Sequence, residues 1–123
     1  MTAPVAFLLV DDDAVRGAIR FALDVEGIGV VVVSSVHDFQ DTLPAPGACL
    51  VMDEAPGSPH MLAALADLRA RNFTMPAVIL ATTPTADFLE AARGLRARVV
   101  EKPLLCDELS TVIRWLSSGG AAK

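Results

Sequence analysis

At 123 residues, with a formal net charge of −5, the chain is one domain long and lacks the basic excess that neutralising nucleic-acid phosphates requires. Its 53% apolar and 20% charged residues exclude a disordered polar chain, since there is ample surface to bury. The two cysteines, Cys49 and Cys106, lie in separate segments with no short pairing motif, which excludes a disulfide framework and predicts reduced thiols in a cytoplasmic protein.

The chain opens with an apolar run, Val5–Val10, that halts at Asp11-Asp12-Asp13. Without a positive lead-in this is not a secretory signal, and with Ile28–Val33 it is far too short to span a bilayer. It reads instead as a strand. Next, Val15, Ala18, Ile19, Ala22 and Leu23 recur at helical spacing and predict an inward face, flanked by Ala14, Phe21 and Val25, with Gly27 as the stop. Gly29–Val33 predicts a second strand. Ser35 caps a short helix to about Leu43, ended by Pro44-Ala45-Pro46-Gly47.

Ala48–Met52 predicts the third strand, running into Asp53-Glu54. Ser58-Pro59 opens a third helix to about Arg71, and Ala77–Ala81 is the fourth strand. Thr83-Pro84 repeats the cap-plus-proline device for a helix closed by Gly94. Arg98–Glu101 makes the fifth strand, and Asp107–Ser117 the last helix, with Leu109, Val112, Ile113 and Leu116 inward and Trp115 off that face. Residues 1–118 read as one domain and 119–123 as a flexible tail.

Five near-continuous apolar strands alternating with helices predict a doubly wound α/β fold, a parallel sheet covered on both faces. In such sheets function gathers at the carboxyl ends of the strands. There the first strand delivers Asp11 and Asp12, the third delivers Asp53, and the fifth delivers Lys102-Pro103. Two carboxylates ~5 Å apart repel by about 3 kcal/mol at an effective dielectric of ~20, so such a cluster invites a proton or a hard divalent cation. Oxygen ligands on loops suit Mg2+, and a nearby lysine suits a phosphate. Asp13 is assigned to the helix start and Glu54 to the solvent beside the pocket.

On these residues, in this order and spacing, essentially the whole chain resembles the receiver domain of two-component response regulators. The resemblance implies a flavodoxin-like sheet in the order 2-1-3-4-5. It implies that Asp53 accepts a phosphoryl group from a phosphohistidine, and that Mg2+ is held by Asp11, Asp12, Asp53 and the backbone carbonyl of Ala55. It implies that Lys102 pairs with the phosphoryl oxygens. The implied partners are a histidine kinase or phosphotransfer protein, docked on the flank of the first helix, and an output protein. A homodimer through the helix before the fifth strand, that strand and the last helix is compatible with it. Such a domain assists its own phosphorylation and hydrolysis and is not a conventional enzyme.

The sequence departs from the family pattern at three places, one of them the loop after Asp53, which reads Glu54-Ala55-Pro56-Gly57-Ser58-Pro59-His60-Met61. The hydroxyl at the end of the fourth strand falls on Ala81, with Thr82 one position later as its substitute. The aromatic residue three positions before the lysine is Val99. These changes keep open a second reading, a pseudo-receiver that binds partners without phosphorylation. An aspartyl phosphatase is disfavoured, because its general acid would occupy the position of Ala55. His37 and His60 lack partners at ligand spacing, Gly27-Ile28-Gly29 lacks the third glycine of a dinucleotide fingerprint, and Arg93, Arg96 and Arg98 read as a solvated turn.

Overall fold

The computed structural model describes residues 4–10, 12–33, 48–53, 60–71, 74–102 and 108–117. Along them lie β1 (Val5–Leu9), α1 (Asp13–Val25), β2 (Gly29–Val32), β3 (Ala48–Asp53), α2 (His60–Ala70), β4 (Ala77–Ala81), α3 (Ala86–Gly94), β5 (Ala97–Glu101) and α4 (Glu108–Ser117). All pairings are parallel, and the sheet order is β2-β1-β3-β4-β5, the doubly wound arrangement that the alternating runs imply. The helix expected over 35–43, His37, and the tail from residue 118 lie outside the described residues.

Period-two alternation divides the strands between two cores. Ala6, Leu8, Cys49, Val51, Val78, Leu80 and Val100 pack on one face with Ile19 and Leu23 of α1 and Leu109 and Ile113 of α4. Leu50, Met52, Ala77 and Ile79 pack on the other with Leu65 and Leu68 of α2 and Ala92 of α3. The two central strands β3 and β4 are buried at every position, which is why they read as unbroken apolar runs. The second strand does not share this cover: it is an edge, and Val31 and Val32 are exposed.

The ends of α1 follow local chemistry. Asp12, not Asp13, is the cap, and its carboxylate accepts the N–H of Val15 at 3.0 Å. At the other end Gly27 takes φ +80°, its N–H donates to the Asp24 carbonyl, and the N–H of Ile28 donates to the Leu23 carbonyl. This is a Schellman ending, with Leu23 and Ile28 joining the same core cluster. Across the core, Arg114 of α4 donates to Glu26 Oε1 at 3.1 Å and to the Glu26 carbonyl, clasping the two helices of this face.

Two sequence expectations need correction. Ala18 and Ala22 are exposed, because the buried arc of α1 is narrower than its apolar arc. The cap of α3 is Thr85, whose hydroxyl accepts the Phe88 N–H at 3.1 Å; Pro84 precedes the helix, and Thr83 sits at φ 51°. The helix α3 closes at Gly94 as the sequence predicts, and the left-handed turn that follows falls on Arg96 at φ 58°. Tertiary contacts hold this turn. Arg69 of α2 donates to the carbonyls of Leu95 at 2.9 Å, Met75 at 2.8 Å and Arg96 at 3.4 Å, fixing the entries to β4 and β5. Burial, and then the charge of Arg96, lowers the Arg69 pKa.

Candidate functional site

The strand order reverses between β1 and β3, so the chain leaves these neighbours toward opposite faces and a crevice opens beyond their carboxyl ends. Asp53 is the last residue of β3 and continues the alternation of Cys49 and Val51. Lys102 follows β5 and continues that of Val100. Both side chains therefore belong to the face covered by α1 and α4.

There they meet. Lys102 Nζ stands 2.7 Å from Asp53 Oδ1, with the carboxylate side chain 8% exposed and the lysine 23%. The lysine is placed by its own backbone, whose N–H donates to the Ala81 carbonyl at 2.8 Å and docks it against the end of β4. Among the described residues the hydrogen-bonding partner of this buried carboxylate is Lys102, through Oδ1.

Asp12 lies beyond the end of β1, the strand that pairs with β3 in register Leu9 to Met52. It is exposed, and one of its oxygens is engaged by the α1 cap. Asp11 and the Ala55 carbonyl lie outside the described residues. Among the described residues no three acidic, histidine or cysteine groups gather closely enough to hold a metal ion. Asp12 and Asp53 nevertheless offer the hard oxygen donors Mg2+ takes, since that ion uses one or two protein carboxylates and keeps several waters.

Thr82 follows β4 directly and is exposed, whereas Ala81 is buried with only a methyl group to offer. Val99 is partly buried against the α2–α3 core. Sequence reasoning did not single out Arg16. Its Nη1 donates to the Val10 carbonyl at 2.9 Å and its Nη2 pairs with Asp13. The helical spacing of Arg16 from Asp13 was the available signal.

The folded chain is similar to solved receiver domains over nearly its full length. It matches FixJ-N at TM-score 0.79 and 20% identity, covering 96% of each chain. It matches a response regulator receiver protein from Pseudoalteromonas atlantica at TM-score 0.77 and 19% identity, covering 94% of this chain and 98% of that one. Full-length FixJ from B. japonicum matches at TM-score 0.72 and 28% identity, over 97% of this chain and 60% of the other. No protein-family model and no curated protein matches the sequence. The fold is that of response-regulator receiver domains, flavodoxin-like, with the sheet order the resemblance implied.

Proposed function

We propose that this chain is a phosphoacceptor receiver of a two-component or phosphorelay system, taking a phosphoryl group from a phosphohistidine onto Asp53. The observation that carries the reading is the buried Asp53 carboxylate, ion-paired to Lys102 at the carboxyl ends of the strands in a receiver fold. Asp53 would attack phosphorus with a carboxylate oxygen, the phosphorus–nitrogen bond to the donor imidazole would break, and the imidazole would leave with a proton. Lys102 balances negative charge on the transferred group, in a reaction where catalysis is mostly positioning and neutralisation.

Mg2+ would supply further neutralisation when bound, held by Asp11, Asp12, Asp53 and the Ala55 carbonyl. Thr82 stands in for the missing hydroxyl: it is the next position of the same parity after Val78 and Leu80, and it is exposed to solvent. The donor, a histidine kinase or phosphotransfer protein, docks on the outer side of α1, where Phe21 is 72% and Val25 69% exposed. Output passes to another protein, or to a second copy, through α3, β5 and α4, where Leu89 and Trp115 are exposed. The setting is cytoplasmic, and no described helix is long and apolar enough to cross a membrane.

The test is intact-mass measurement after incubation with Mg2+ and a small acyl phosphate. One phosphoryl group should be gained by the native chain and none by Asp53→Asn; an unmodified native chain would overturn the reading. Buried Ala81, where receivers carry a hydroxyl, favours a second reading, a pseudo-receiver that signals without phosphorylation. That reading is supported if modification leaves partner binding unchanged.

A further inference from the structure

The turn from β1 into α1 is held by Arg16 from several sides. Its backbone N–H donates to the Asp12 carbonyl at 2.9 Å. Its Nη1 donates to the Val10 carbonyl at 2.9 Å, and its Nη2 pairs with Asp13. Val10 is buried and lies one residue beyond the Leu9–Met52 pairing, level with Asp53 on the neighbouring strand. The guanidinium thus spans from the strand end to the first helical residue, and Asp12 sits inside that span. The arginine side chain is 28% exposed, so it is packed in place and does not sweep freely through solvent. An arginine suits the task because its planar fork holds two acceptors at fixed geometry, where a lysine offers a point charge.

A positive group beside an acidic turn should, by charge alone, weaken cation binding there. Its presence needs another reason, and the geometry points to one: we infer that Arg16 is a positioning residue, which ties the end of β1 to the start of α1 and so holds Asp12 in place for Mg2+ binding. The inference rests on the phosphoacceptor reading. Mg2+ demands near-ideal octahedral ligands, so a loosened turn forfeits affinity even as local negative charge rises.

The two effects have opposite signs, which makes the test decisive. Mg2+ binding is measured by titration calorimetry on the native chain, Arg16→Ala and Arg16→Lys, with folding checked by circular dichroism. Positioning predicts a dissociation constant raised about 10-fold in Arg16→Ala and partly restored in Arg16→Lys. It also predicts a raised Mg2+ requirement for phosphorylation, with the rate at saturating Mg2+ unchanged. Equal or tighter Mg2+ binding by Arg16→Ala, as charge removal alone predicts, overturns it. Should Arg16→Ala unfold, Arg16→Lys carries the test, and native affinity in that variant overturns the inference. If the native chain binds no Mg2+ and takes no phosphoryl group, the phosphoacceptor reading itself fails. Normal phosphorylation of an Arg16→Ala protein with native Mg2+ affinity defeats only the role given to Arg16.

Discussion

Lys102 and Asp53 form their 2.7 Å ion pair across a strand that contributes neither of them, since β4 separates β3 from β5. Neighbouring strands lie roughly 4.8 Å apart, so the lysine stem must bridge about two spacings over the end of β4. The partners are unequal in burial, at 8% for the carboxylate and 23% for the lysine. Lys102→Met strands a buried carboxylate and should cost about 1–3 kcal/mol, whereas in Asp53→Asn the freed ammonium reaches water. Urea denaturation without Mg2+ should show the lysine variant as the less stable of the two; the reverse order would contradict the geometry.

Alanine should have opposite effects at two glycines. Gly27 holds φ +80° in the ending of α1, and a Cβ there would meet nothing within 4 Å, so the penalty is purely conformational. Gly27→Ala should destabilise by about 1–2 kcal/mol. Gly17 is exposed within α1, again with open space for a Cβ, and Gly17→Ala should stabilise by about 0.5–1 kcal/mol. Thermal unfolding of the two variants should move in opposite directions.

Arg69 acts far from the acids, at the amino ends of β4 and β5. Arg69→Met leaves the carbonyls of Met75 and Leu95 without their donor and should cost about 1–3 kcal/mol. Phosphorylation of Asp53 in the folded variant should be unchanged, as intact mass would show. A loss of acceptor chemistry at full stability would contradict this assignment.

Cys49 gives the fold a pH dependence. Burial pushes its thiol from 9.0 up to about 12. Above pH about 9 the unfolded chain releases this proton while the folded one keeps it, so ionisation favours unfolding. The contribution is complete below pH about 9 and is lost as pH rises toward about 12, by at most about 1.4 kcal/mol per unit. Denaturation between pH 8 and 10.5 should show a shallower slope in Cys49→Ala, whatever its baseline stability.

Asp53 and Lys102 were legible because apolar runs of strand length stop on charged residues, and a parallel sheet gathers such ends on one side. The turn at Gly27 was legible for a local reason, the steric freedom glycine alone has. By contrast, Arg96 takes the left-handed turn after α3, and its carbonyl is held by Arg69 from another helix. No window of local sequence contains that contact. The exposure of Val31 and Val32 was hidden likewise, since an edge strand and a central one share the same composition. Arg16 was legible only in part. Its spacing from Asp13 is in plain view, but its reach back to the Val10 carbonyl depends on how tightly the chain turns between strand and helix.

The chain has one tryptophan, Trp115, and Arg98 lies over its ring at 5.2 Å. Arg98 stands near the start of β5, while Lys102 follows its end, roughly 13 Å farther along at about 3.3 Å per residue. The intrinsic fluorophore therefore watches the seam between the last helix and the outermost strand, not the carboxylates. Its emission will report that helix peeling away, and events at the acids will stay optically dark unless they disturb this distant seam.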